Sequence, residues 1–129
     1  MDGHPYMRGG ADGTEKNCLI DSLRQTLYMH DCNMRSVRKD LMDEFGVKDE
    51  AEPHKHVTIN SYLDADYHWY AILISLRKQM HFAISNYRIV VLYADAPDNG
   101  VVLGPTTASQ SLVIINQGDM HFEPCFRVL

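Results

Sequence analysis

No apolar run in this chain approaches the roughly 20 residues that a membrane-spanning helix needs. Its first residues, Met1-Asp2-Gly3-His4-Pro5, lack the charged-then-apolar layout of a secretory leader. Cysteine is scarce: Cys18, Cys32 and Cys125 are too few, and odd in number, for a disulfide framework. None of them stands in Cys-x-x-Cys spacing, which argues against structural zinc. These absences point to a reducing intracellular compartment, in the simplest case the cytoplasm, of the organism itself or of a host. An excess of positive charge is missing too. A net charge of −5 speaks against a phosphate-binding surface, so neither nucleic acid nor membrane is an expected partner. No metal or cofactor is expected. There is no internal repeat or low-complexity tract, and 129 residues read as a single domain spanning 1–129, with 1–12 flexible and the protein a monomer.

What is present centres on Asn17-Cys18-Leu19-Ile20-Asp21-Ser22-Leu23-Arg24-Gln25. A Gly-rich polar loop, 9–16, gives way there to an apolar-periodic run. Ile20, Leu23 and Leu27 recur at helical spacing, which puts Cys18 in the first turn of a helix running to about His30. Asn17 has the chemistry of an N-cap. Unpaired amides and the helix dipole favour negative charge at that end, and a thiol placed there has its pKa lowered toward the nucleophilic thiolate.

Asn33 reads as the cap of a second helix with a Met34, Val37, Leu41, Phe45 stripe and Gly46 at C′. Residues 47–56 are charged, contain Pro53 and read as a surface loop. A short helical turn is expected over 58–63, under Ile59, Tyr62 and Leu63. Asp64 or Asp66 opens a third, deeply buried helix carrying Trp69, Ile72, Leu73, Leu76 and Met80. The period then shortens. Tyr87–Tyr93 and Ser111–Asn116 read as buried strands, 96–100 as a turn, Val101–Leu103 as a short strand, and His121 onward as a last strand. Helices followed by a small sheet make an α+β layout with the helices packed on the sheet.

A thiol nucleophile needs a base within reach and a third group to orient that base. His121 follows a tight turn at the start of a strand. Alternation puts His121 and Glu123 on one face, and Met120 and Phe122 on the other. Glu123 therefore suits an orienting acid, and Glu15, three residues before Cys18, is the alternative. Taken alone, His121 reads more readily as a surface histidine in a hairpin. A rival base is His68, with Asp95 downstream. His54-Lys55-His56 reads as a surface loop, and Cys32 and Cys125 as small buried hydrophobes. Ser22 is expected to bond back into its helix.

Two of these segments are similar to the motifs of a known family. Asn17-Cys18-Leu19-Ile20 resembles the nucleophile motif of the ovarian-tumour (OTU) cysteine proteases, and Met120-His121-Phe122-Glu123-Pro124 resembles their His-aromatic motif. Val37–Phe45, the Trp69 helix and Ile89–Leu92 fall where that family has its second helix, its Trp-containing helix and a central strand. The pattern departs at Glu15, where the family usually has Asp, at Lys16, where it has Gly, and at Glu123, often Asn or Asp. The resemblance implies a papain-like OTU fold and a deubiquitinase with Cys18 as nucleophile, His121 as base and acid, and Glu123 or Glu15 as the third member. It implies ubiquitin, polyubiquitin or a ubiquitin-like modifier as partner, cleaved after its C-terminal Gly-Gly, with Gly13, Lys16, Asn17 and Phe122 in contact with substrate. Amides of Cys18 and of the 13–17 loop would serve as oxyanion donors, and acidic residues such as Asp43, Glu44, Asp49, Glu50 and Glu52 as contacts for a basic tail. The alternatives are a papain-fold glutamine deamidase or transferase built on His68, and an inactive ubiquitin-binding module.

Overall fold

The computed structural model describes residues 6–11, 16–118 and 121–127. Three helices, α1 (Cys18–Thr26), α2 (Met34–Phe45) and α3 (Ala65–Gln79), lie among five strands: β1 (Tyr6–Arg8), β2 (Tyr87–Tyr93), β3 (Ala96–Leu103), β4 (Gln110–Gln117) and β5 (His121–Arg127). The strands form one sheet in the order β1-β5-β4-β2-β3. Among the described residues β2 and β4 run parallel, and the other pairings are antiparallel. The expected α+β architecture, a small sheet packed against helices, is the one found.

The helices form where the apolar period put them. Val37 and Leu41 of α2 and Ile72, Leu73 and Leu76 of α3 are fully buried, and they join Leu19, Ile20 and Leu23 of α1 in one core. The sheet contributes Ile89, Val91, Leu112, Ile114 and Phe122 to the same cluster. Asn33 caps α2 as expected, its side chain accepting from the Ser36 amide at 3.1 Å. Asp64 caps α3, its carboxylate accepting from the Asp66 amide at 2.9 Å.

Several boundaries move, each for a local reason. Helix α1 stops at Thr26 and not near His30. The Met29 amide donates to the Arg24 carbonyl and the Tyr28 amide to the Gln25 carbonyl, which is a Schellman closure with Tyr28 left-handed at φ 55°. Gly46 is right-handed at φ −75°, so it ends α2 without the left-handed turn expected of it. The expected helical turn over 58–63 is a hydrogen-bonded bend. Ser61 Oγ accepts from the Thr58 amide at 2.9 Å, Ile59 and Tyr62 are exposed, and the helical turn lies earlier, at Pro53–Lys55. Met80 lies beyond the end of α3 and is exposed.

Residues 96–100 are strand rather than turn. Tyr93 pairs with Ala96, so the reversal is the two residues Ala94-Asp95, and β3 absorbs the irregularity next to it as a register shift. Pro97 is tolerated because β3 is an edge strand and one missing amide costs it little. Gly104, at φ +98°, then carries the chain under the Trp69 ring; a Cβ there would stand 3.2 Å from Trp69 Cη2. The N-terminal stretch, read as lacking any period, supplies strand β1, which is too short for a period to register.

Ser22 is fully buried on α1, and its Oγ has no protein hydrogen-bond partner among the described residues, so the expected bond back into the helix is not made. A buried hydroxyl without a partner is a net cost. Ser22→Ala should therefore stabilise the fold by about 1 kcal/mol in urea unfolding; a loss of stability would show that the hydroxyl is satisfied.

Candidate functional site

Helix α1 packs lengthwise on β5 and β4. Its C-terminal end is tied to the C-terminal half of β5. The Tyr28 ring lies 6.1 Å from that of Phe126, Gln25 Nε2 donates to the Gly10 carbonyl, and the Gly9 amide donates to the Pro124 carbonyl. Cys18 to Thr26 spans ~12 Å of helix before the closing turn at Tyr28, and His121 to Phe126 ~17 Å of strand, so with their C-terminal halves tied the two elements start toward the same end. The first residue of α1 is Cys18 and the first of β5 is His121.

His121 and Glu123 share a face of β5, as strand alternation requires, and Phe122 between them is 3% exposed in the core. His121 Nε2 lies 3.2 Å from Glu123 Oε1. A carboxylate only accepts, so Nε2 carries the hydrogen and Nδ1 is left as the acceptor nitrogen. Glu123 Oε2 is held in turn by Arg8 Nε at 3.0 Å and lies 3.5 Å from Gln117 Nε2.

The residues before Cys18 are shaped by a group that the sequence did not reveal. Arg38 of α2 is 4% exposed. Its Nε and Nη2 donate to Asn17 Oδ1 at 3.0 and 2.8 Å, and Nη2 also donates to the Lys16 carbonyl at 2.9 Å. Its Nη1 reaches the Ser61 carbonyl at 2.8 Å. Asn17 therefore makes no side-chain cap: a charged donor holds its amide oxygen instead, and the backbone alone starts the helix, with the Asp21 amide on the Asn17 carbonyl at 2.9 Å. Lys16 is left-handed at φ 59°, the conformation that favours glycine, and its ammonium sits 4.3 Å from the Tyr62 ring centroid. Asp21, 3% exposed, accepts from Arg24 and Gln25 and holds the exit of α1.

A cleft of about 500 Å³ opens beside Phe122. Asn116 and Tyr93 from the strand ends, Tyr62, Asp64 and Asp66 face it. Burial raises the Asp66 carboxyl, and Asp64 adds to it; burial raises the Tyr93 phenol, helped by both carboxylates. Asp43, Glu44, Asp49, Glu50 and Glu52, read as contacts for a basic tail, are exposed, and Glu52 is paired with Lys55 at 2.7 Å.

His68 has a different place from the one a base needs. It is fully buried; Nδ1 accepts from the Asp64 amide at 2.9 Å and Nε2 lies 3.0 Å from the Lys55 carbonyl. Both nitrogens join the start of α3 to the Pro53–Lys55 turn. Asp95 is exposed in the β2–β3 turn, so the His68 deamidase arrangement finds no support in the geometry. His54 stacks on Tyr67, His56 Nδ1 lies 3.1 Å from the Phe45 carbonyl, and Lys55 turns to Glu52. Cys125 is buried and Cys32 half-buried, and burial raises both thiols. Gly13 and Glu15, the remaining candidate residues, lie outside the described residues, as does Met120.

No family model matches the chain, and no curated protein matches it by sequence. Solved structures do match. An OTU deubiquitinase from Wolbachia pipientis is similar at 18% identity with a TM-score of 0.57, over 95% of this chain and 88% of that one. A structure of an OTU deubiquitinase from the same organism bound to ubiquitin is similar at 17% identity with a TM-score of 0.54, over 95% of this chain and 96% of that one. The fold is that of the OTU deubiquitinases.

Two consequences are testable. Arg38→Met keeps the volume of the side chain but strips the Lys16–Asn17 loop of its donors. It should lower stability by roughly 2–4 kcal/mol in urea unfolding, with Arg38→Lys recovering less than half, since a point charge cannot replace the planar fork. Losses under about 0.5 kcal/mol for both would show that the loop holds itself. The buried His68 has its pKa lowered from 6.5, chiefly by burial. In the unfolded chain it takes a proton as pH falls through 6.5, and in the folded chain only at lower pH, so it withdraws stability below pH 6.5. The urea midpoint of His68→Gln should accordingly fall less than that of the wild type between pH 7.5 and about 5.5; parallel curves would mean that His68 charges equally in both states.

Proposed function

We propose that the chain is a cysteine isopeptidase of the OTU type, acting on the C-terminal tail of ubiquitin or a ubiquitin-like modifier. The observation that carries this reading is the His121–Glu123 dyad opening β5, at the end of the helix–strand pair where Cys18 opens α1. The likeness in fold to an OTU deubiquitinase solved with ubiquitin supports the choice of substrate.

In this mechanism Cys18 Sγ gives its proton to His121 Nδ1 and attacks the carbonyl carbon of the scissile bond. The tetrahedral oxyanion is held by backbone amides of Cys18 and of the loop before it, which Arg38 fixes in place. Collapse breaks the C–N bond, and His121 returns the proton to the leaving amine. The product is a thioester, which water, deprotonated by His121, hydrolyses to a carboxylate and free Cys18. Glu123 keeps the imidazole in the Nε2–H tautomer and stabilises the imidazolium. Lys16, whose ammonium lies over the Tyr62 ring beside the Cys18 loop, is placed to contact substrate, and Asn17 acts through Arg38 on the loop. Phe122 forms the floor of the adjoining cleft. A free nucleophilic thiol suits a reducing compartment.

The test uses ubiquitin with a thiol-reactive C-terminal group, read by intact mass. Wild type should gain one ubiquitin, Cys18→Ala none, and His121→Ala should react about 10²- to 10⁴-fold more slowly. Reaction at wild-type rate without His121 would remove it from the mechanism. No adduct with ubiquitin or with ubiquitin-like probes would leave a binding module.

A further inference from the structure

Glu123 has two oxygens with separate duties. Oε1 faces His121 at 3.2 Å, while Oε2 is held by Arg8 Nε at 3.0 Å. Arg8 comes from β1, an edge strand whose neighbour in the sheet is β5. The register pairs Arg8 with Cys125, so its side chain stands on the face of β5 that also carries Glu123 and His121, one diagonal step from Glu123. The backbone is fixed close by, where the Gly9 amide donates to the Pro124 carbonyl at 2.8 Å. The approach is tight enough that a Cβ on Gly9 would stand 2.9 Å from Phe126 Cε2. The first strand thus delivers a guanidinium to a set place beside the carboxylate.

A glutamate two residues from a histidine has three rotatable bonds between backbone and carboxylate. Tying one oxygen to a charged donor removes most of that freedom and aims the other oxygen at the imidazole. Gln117, at 3.5 Å from Oε2, is too distant to do this alone.

We infer that Arg8 is a positioning residue for the reaction, acting through Glu123 on the tautomer and orientation of His121; the inference rests on the cysteine-isopeptidase reading. Arg8 does not touch the reacting atoms. Its side chain is 52% exposed, and the backbone pairing of β1 does not depend on it, so its replacement leaves the fold intact.

The experiment compares the 129-residue wild type, Arg8→Gln, Arg8→Lys, Glu123→Gln, the double variant Arg8→Gln/Glu123→Gln and His121→Ala. Two rates are read: adduct formation with the ubiquitin probe, and alkylation of Cys18 by iodoacetamide in the native state, scored by peptide mass. Arg8→Gln should slow both by roughly three- to tenfold, and Arg8→Lys should restore part of the loss, because it keeps the charge without the geometry. In the Glu123→Gln background, Arg8→Gln should cost nothing further, a coupling that a merely structural role would not produce. Wild-type rates for Arg8→Gln, or the same fold-loss in both backgrounds, would overturn the inference. If wild type forms no ubiquitin adduct but Cys18 alkylation still requires His121, the substrate reading falls, and the Arg8 inference stands or falls on the same coupling in alkylation alone. Alkylation indifferent to His121 would overturn both.

Discussion

The packing of α1 along β5 and β4 is the contact on which the remaining geometry depends. Leu19, Ile20 and Leu23 on one side and Ile114 and Phe122 on the other are nearly or fully buried in a common core. Burying these five large side chains contributes on the order of 10 kcal/mol before conformational entropy is set against it, at roughly 1.5–3 kcal/mol for each. The same apolar contact sets where the polar ends lie. Buried apolar side chains fix the place of Cys18 and of His121, and a slip of β5 by one residue would turn His121 inward and Phe122 outward.

Around that core, charged donors fix what apolar packing cannot. Arg38 gathers Asn17 Oδ1, the Lys16 carbonyl and the Ser61 carbonyl from two segments far apart in the sequence. Arg24, with Asp21, secures the exit of α1 by donating to the Met29 carbonyl at 2.6 Å. Arg8 holds Glu123 at the other side of the site. In Arg38 and Arg24 a guanidinium spans several acceptors at once, which a lysine cannot do. The left-handed backbone at Lys16 is the strain that this arrangement carries, and the Arg38 bond to the Lys16 carbonyl helps offset it.

His68 illustrates the opposite use of histidine. With the Asp64 amide on one nitrogen and the Lys55 carbonyl by the other, it satisfies two backbone groups that the turn before α3 would otherwise bury unpaired. His121, by contrast, has an exposed side chain on one strand face and a carboxylate on one nitrogen. Burial and partners separate two residues of one type into a structural bolt and a candidate base.

The sequence by itself determined the elements with strong period and clear caps: α2 behind Asn33, α3 behind Asp64, and the β-branched runs of β2 and β4. It also determined that Cys18 opens a helix and that His121 and Glu123 share a face, since both follow from local periodicity. Tertiary structure alone decided the rest. Strand β1 is three residues long and exists only because β5 offers it an edge. The reversal falls at Ala94-Asp95 and not at the Pro-Asp-Asn-Gly cluster because Ala96 already pairs with Tyr93, and the cluster is taken up as a register shift before Val101 pairs with Val91, on an edge that tolerates proline. Arg38 sits at spacings of four, three and four with Met34, Leu41 and Phe45, a buried stripe that the sequence reading reserved for apolar residues. A charge enters such a stripe only when carbonyls from distant segments surround it, and contacts between residues 16–17, 38 and 58–61 have no signature along the chain.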